Sequence, residues 1–175
     1  MSEAYGAAMS HLGRIEQLCD FFDNPTIVDA LARAVPPRMP PGRGALGFDD
    51  DTWIGLGMVG LWAALDAFAE RATLKYKGCV ICDSRCLLYR FDNSKLTPSE
   101  LTILSELEDV RHLYAHNFAG RADDDYFARR RHVFVANTAC KLSSGAEFDG
   151  QLIKLKPLHL RHYAQVARGI LPKFV

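Results

Sequence analysis

Apolar residues recur at helical spacing through most of this chain, and clusters of proline, glycine and polar residues separate the segments that carry the pattern. Ile15, Leu18, Cys19 and Phe22 share one helical stripe, which predicts a first helix over residues 3–20. Asn24 followed by Pro25 predicts the cap and first turn of a short second helix, "PTIVDALARAV". Four prolines and three glycines in "PPRMPPGRGALG" then predict a surface loop. The longest helical pattern is "DDDTWIGLGMVGLWAALDAFAERATLKY". Its opening acids suit the positive end of a helix dipole. Trp53, Leu56, Gly57, Gly60, Leu61, Ala64, Leu65 and Phe68 form a broad apolar face. Glycine weakens a helix, so its presence on this face predicts a close approach by another helix.

A third pattern, "TPSELTILSELEDVRHLYAHN", opens with Thr97 as cap, Pro98 at the first helical position and Glu100 completing a capping box. It predicts a helix to about Phe118, with Gly120 as a stop. "DDDYFARRR" suggests a further short helix. "RHVFVAN" and "DGQLIKL" read as strands, with "SSGAEFDG" supplying turn residues between them. "KPLHLRHYAQVARGILPKF" predicts a last helix starting near Pro157. The expected fold is mainly α: an up-and-down bundle of four to five helices with a small β-hairpin insert near residues 132–154. It forms a single domain over residues 1–175, with 1–48 as an N-terminal helical extension and Pro/Gly-rich loop and 49–175 as the core bundle.

Composition narrows the function classes. A length of 175 residues suits one domain with a real core, and 49% apolar with 24% charged residues is ordinary for a globular protein. Zero formal net charge argues against a wholly basic nucleic-acid binder and leaves room for a local basic patch. The apolar run "WIGLGMVGLWAALDAFA" carries an aspartate and three glycines and reads as a buried helix rather than a membrane span. No basic segment followed by an apolar one opens the chain, so no signal peptide is expected. Five cysteines, an odd number, fit a reducing cytoplasm.

The segment "EDVRHLYAHN", residues 108–117, concentrates candidate chemistry. At about 100° per residue, Ile103, Leu107, Val110 and Tyr114 form a core stripe, while Ser105, Asp109, His112 and His116 face the other way. A histidine near a helix C-terminus is also stabilised by the dipole, so a solvated helix end is the plain alternative. Imidazole moves protons near neutral pH, and arginine grips phosphate through a two-pronged fork. Arg111 and His116 suit phosphodiester cleavage without metal, but an ideal helix turns them about 140° apart. They meet if the arginine wraps round, if the helix end loosens, or if a second copy supplies the missing group.

"RHLYAH" matches the R-x4-H form of the motif of HEPN (higher eukaryotes and prokaryotes nucleotide-binding) domains, and the chain resembles that family over roughly residues 50–175. His112 fills the polar position after the arginine. "GLWAALDAFAERA" is similar to the first core helix of HEPN bundles. The resemblance implies a metal-independent endoribonuclease, with no cofactor, working as a homodimer in which two motifs meet. Arg111 and His116 would be catalytic, and His112, Asn117, Asp66 and Glu70 would support them. Many such proteins serve toxin–antitoxin or phage-defence systems, which implies an RNA substrate and an antitoxin or other regulatory partner. Others are non-catalytic nucleotide-, RNA- or protein-binding modules, and that reading stays open.

Three other clusters matter less. Cys79, Cys82 and Cys86 in "CVICDSRC" offer three thiolates to zinc, one short of a tetrahedron, with Cys19, Cys140 or a histidine as a remote fourth ligand. Cysteines packed as small apolar residues are the default. Arg121, Arg129, Arg130 and Arg131 form a basic patch able to contact RNA, and His159, Arg161, His162 and Arg168 add cations in the last helix. Asp49–Asp51 and Asp123–Asp125 read as helix starts.

Overall fold

The structure is a computed structural model, and it describes residues 2–27, 30, 50–77, 91–116, 142–149 and 152–175. These form four long helices, α1 (Ser2–Phe22), α2 (Asp50–Lys77), α3 (Pro98–His116) and α4 (Pro157–Ile170), two short 3-10 turns (Asn93–Lys95 and Leu171–Phe174), and a hairpin of β1 (Glu147–Asp149) and β2 (Leu152–Lys154). The mainly α expectation, with a small hairpin, is met.

Contacts at the seams fix the topology. Gly55 of α2 lies beside Tyr114 of α3, and Gly60 of α2 beside His11 of α1. Glu16 and Asp20 of α1 bridge to Arg168 and Arg161 of α4. Glu106 of α3 receives the Tyr163 hydroxyl of α4. Each sequence neighbour therefore runs antiparallel to the last, and α1 closes the cycle against α4. The helix at residues 2–22 forms a full side of the bundle.

Local signals account for the helix starts. Thr97 and Glu100 make the full capping box: Thr97 N–H donates to Glu100 Oε2 at 2.8 Å, and Glu100 N–H donates to Thr97 Oγ1 at 3.2 Å. Lys173 Nζ donates to the same carboxylate at 2.7 Å, fastening the C-terminal turn to the foot of α3. Asn24 Oδ1 accepts from Thr26 N–H at 3.1 Å, the cap expected for the next helix, of which Pro25–Ile27 are described.

The core is apolar and contiguous. Leu12, Ile54, Met58, Leu61, Leu65, Leu104, Leu107, Leu113 and Tyr163 are its largest fully buried side chains, along with Phe68 and Ile153. Phe91 and Phe174 close the end of the bundle where α3 begins, ring centroids 4.8 Å apart. Helix α2 contains a stretch, Trp53–Ala72, long and apolar enough to cross a bilayer. Here its Ile54, Met58, Leu61, Leu65 and Phe68 are buried inside the bundle. Leu56, expected on the apolar face, is 52% exposed. The face that packs centres on Ile54, Met58 and Leu61, because α2 is covered from three sides rather than one.

The hairpin differs from expectation in its pairing. Phe148 opposes Ile153 and Asp149 opposes Leu152, so "EFD" is itself the first strand and only Gly150 and Gln151 link it to the second. "RHVFVAN" lies outside the described residues. The preceding turn, Leu142–Ala146, closes with Gly145 N–H donating to Leu142 C=O at 2.8 Å, and Gly145 has φ +86°, a conformation that favours glycine.

A Cβ at Gly55 would stand 2.0 Å from Tyr114 Cδ1, whereas one at Gly13 of α1 meets nothing within 4 Å. Gly55→Ala is expected to destabilise the fold by about 1–3 kcal/mol, and Gly13→Ala to stabilise it by about 0.5–1 kcal/mol. Urea denaturation of both variants checks the pair, and equal effects would contradict the close α2–α3 approach.

Candidate active site

Helix α3 is regular from Pro98 to His116, so the motif "RHLYAH" sits on its last turn and a half without loosening. The helix geometry therefore keeps Arg111 and His116 about 140° apart around the axis. Arg111 leans toward α2. Its guanidinium carbon stands 4.1 Å from the centroid of the Trp62 ring, a cation–π stack across the α2–α3 seam. None of the ion pairs among the described residues includes Arg111. An aromatic face, not an acid, orients this arginine.

The other expected site residues divide. Asp66 lies one turn beyond Trp62 on the same side of α2, half-buried, with Oδ1 sealed from solvent. Glu70, a further turn on, is exposed. His112 is half-buried. His116 closes the helix. Asn117, Arg121, Arg129, Arg130, Arg131, Cys79, Cys82 and Cys86 lie outside the described residues.

Two expectations about faces are corrected. Asp109, assigned to the outward side, is 0% exposed. Helix α3 is covered by α2 on one flank and by α4 and the Leu142–Ala146 turn on the other, so its buried arc is wider than the four-residue stripe of apolar positions. The cations of α4 are engaged with α1. Arg161 pairs with Asp20 at 2.9 Å and Asp23 at 2.8 Å, and Arg168 pairs with Glu16 at 2.7 Å. His159 is buried, and His162 Nε2 is sealed from solvent. The two arginines join α4 to α1 rather than form a free cationic face.

Glu106, not singled out by the sequence, is the main polar junction. It is 5% exposed. Both its oxygens accept from Ser143 N–H at 3.1 Å, Ser143 Oγ donates to Oε2, and the Tyr163 hydroxyl donates to Oε2 at 3.4 Å. Burial first, and the neighbouring carboxylate second, push the Tyr163 pKa well above the ordinary phenol range. Its signal in the sequence was an acid beside Leu107 and three residues after Ile103, inside an apolar stripe where a lone carboxylate needs partners. Trp62 carried no comparable signal, since a tryptophan in an apolar helix reads as core.

Among the described residues no group of three or more His, Cys, Asp or Glu side chains could hold a metal ion. Cys19, considered as a remote zinc ligand, is buried, and that burial pushes its thiol pKa up to about 11, so it stays protonated and inert.

Comparison of this chain with family models, curated proteins and solved structures finds no match.

The Arg111–Trp62 stack predicts measurable coupling. A double-mutant cycle of Arg111→Met and Trp62→Leu, read by chemical denaturation, is expected to give an interaction energy of roughly 0.5–2 kcal/mol. Additive effects would mean that the stack contributes nothing.

Proposed function

We propose that this chain is a metal-independent endoribonuclease of the HEPN type, acting as a homodimer in the cytoplasm, in a toxin–antitoxin or phage-defence role. One observation carries the reading. The R-x4-H motif ends a regular helix of an up-and-down bundle, with Arg111 held at the α2–α3 seam against Trp62. On a regular helix the two positions emerge about 140° apart, and a second copy meeting this one about a two-fold axis would bring an arginine of one motif to the histidine of the other.

In that composite site His116 takes the proton of a ribose 2′-hydroxyl. The 2′-oxygen attacks the adjacent phosphorus, and the bond to the 5′-oxygen breaks as that oxygen gains a proton from a histidine acting as acid. The products are a 2′,3′-cyclic phosphate and a 5′-hydroxyl. Arg111 stabilises the charge that builds on the phosphorane oxygens. The Trp62 ring limits the arginine's rotamers and so lowers the ordering cost of holding phosphate. His112 and Asn117 contact the RNA, and Arg121, Arg129, Arg130 and Arg131 hold phosphates away from the cut. An antitoxin or other regulatory protein would mask this face.

A second reading rests on the same stack. A guanidinium already engaged with Trp62 suits a non-catalytic module that binds RNA, a nucleotide or a protein through this end of the bundle.

Purified protein is expected to cleave RNA in EDTA, leaving cyclic phosphate ends. Arg111→Ala and His116→Ala are each expected to lower the rate by roughly 10²–10⁴-fold while keeping the helical circular dichroism of the wild type. Absence of cleavage by the wild type across several RNAs would favour the binding module.

A further inference from the structure

From Trp53 to Leu65 helix α2 carries no charged residue on any face, and a helix apolar all round needs cover on every side. Three sides are covered within the chain. Gly60 lies beside His11 of α1, Gly55 beside Tyr114 of α3, and Gly57 beside Leu160 of α4. The fourth side is open to solvent. Leu56 is 52% exposed, Ala63 and Ala67 are exposed, and Val59 and Gly60 are half-buried. Their spacing of three and four residues sets them on one face.

That face is complementary to itself. One end carries large apolar groups: Leu56, and Phe21 of α1, one turn past the Leu18 that packs beside Gly57. The other end holds a cleft of about 190 Å³ between α1 and α2, walled by Ala4, Ala7, Ala64 and Ala67, with His11 and Arg71 at its edge. Arg71 is exposed, and no hydrogen bond or ion pair among the described residues includes it. Charge runs the same way, since α2 opens on Asp50 and Asp51 and ends on Lys75 and Lys77. A two-fold axis crossing α2 near Trp62 and Ala63 therefore brings each large end onto the other copy's cleft, and each acidic start beside the other's basic end. Leu56 then lies over Ala67 of the second copy, and Trp53 over its Arg71, a cation–π pairing. Gly60 and Ala63, beside the axis, let the two helices approach closely. The face from Trp53 to Arg71 is about 27 Å long and, with the flanks of α1 and α3, about 30 Å across. That is roughly 800 Å² per copy, the area a stable interface takes from each partner.

We infer that the open face of α2 is the surface through which two copies of this chain pair, with their α2 helices antiparallel. The inference rests on the homodimer of the proposed function and names the surface that forms it. Arg111 stands against Trp62, level with the axis. The two arginines thus come to one flank of the dimer, the flank that α3 forms, on either side of the axis.

Sedimentation equilibrium of the full chain is expected to show a dimer. Ala63→Glu sets two carboxylates together beside the axis and should raise the dimer dissociation constant at least about 30-fold. Ala63 is exposed, so the variant should keep the circular dichroism of the wild type. Crosslinking with a short bismaleimide tests the register without disturbing the face. Ala63→Cys chains should join to each other, and so should Leu56→Cys chains mixed with Ala67→Cys chains, well above a wild type that carries the same five native cysteines. Neither Leu56→Cys nor Ala67→Cys alone should exceed the wild type. RNA cleavage enters neither readout. A dimer that Ala63→Glu leaves intact, or one that lacks these crosslinks, overturns this interface and leaves the homodimer standing. A chain that stays monomeric at every concentration overturns both, and a monomer that floats with phosphatidylcholine vesicles overturns both and assigns the face to a lipid surface.

Discussion

The close packing around α2 is the constraint on which the rest of the bundle depends. Three helices press on it at once, and two glycines make room. Gly55 lies under the Tyr114 ring of α3, and a Cβ at Gly57 would stand 2.5 Å from Leu160 of α4. Helix propensity is sacrificed at both positions, and interhelical contact offsets it. Because α3 lies so near, Trp62 and Arg111 share one seam, and the orientation of the candidate catalytic arginine follows from glycines two turns away.

Polar junctions then orient the periphery. Glu106 gathers a backbone N–H and two hydroxyls from the Leu142–Ala146 turn and α4, which lets a carboxylate sit in a core where an unpaired one would be costly. That tie anchors the turn that leads into β1 and β2. Ion pairs of Glu16, Asp20 and Asp23 with Arg168 and Arg161 fasten α1 to α4. They are partly exposed and contribute modestly in energy, yet they take up cations that would otherwise be free for phosphate.

Much of the fold was legible because its signals are local. The Thr97–Glu100 capping box, the Asn24 cap and the proline at the head of α4 each need only a few consecutive residues. The hairpin's first strand was misread where the signal is not local: "EFD" looks like a turn until its pairing with "LIK" is known, and Gly145 reads simply as a break. Asp109 was assigned outward because a helical wheel with one core stripe assumes one packed flank, and α3 has two. At the candidate site the motif residues were proposed from their spacing together with the HEPN resemblance. Trp62 was not singled out, because an aromatic among apolar neighbours looks like core until the opposing element is in place.

In the function proposed for this chain, the catalytic groups are split between two copies. Mixing Arg111→Ala chains with His116→Ala chains under conditions that exchange subunits, then assaying RNA cleavage in EDTA, tests it most directly. A composite site predicts that the mixture regains cleavage that neither variant has alone, since one of the two sites in each mixed dimer keeps both groups. A mixture as inactive as its parents, with mixed dimers shown to have formed, would contradict the account.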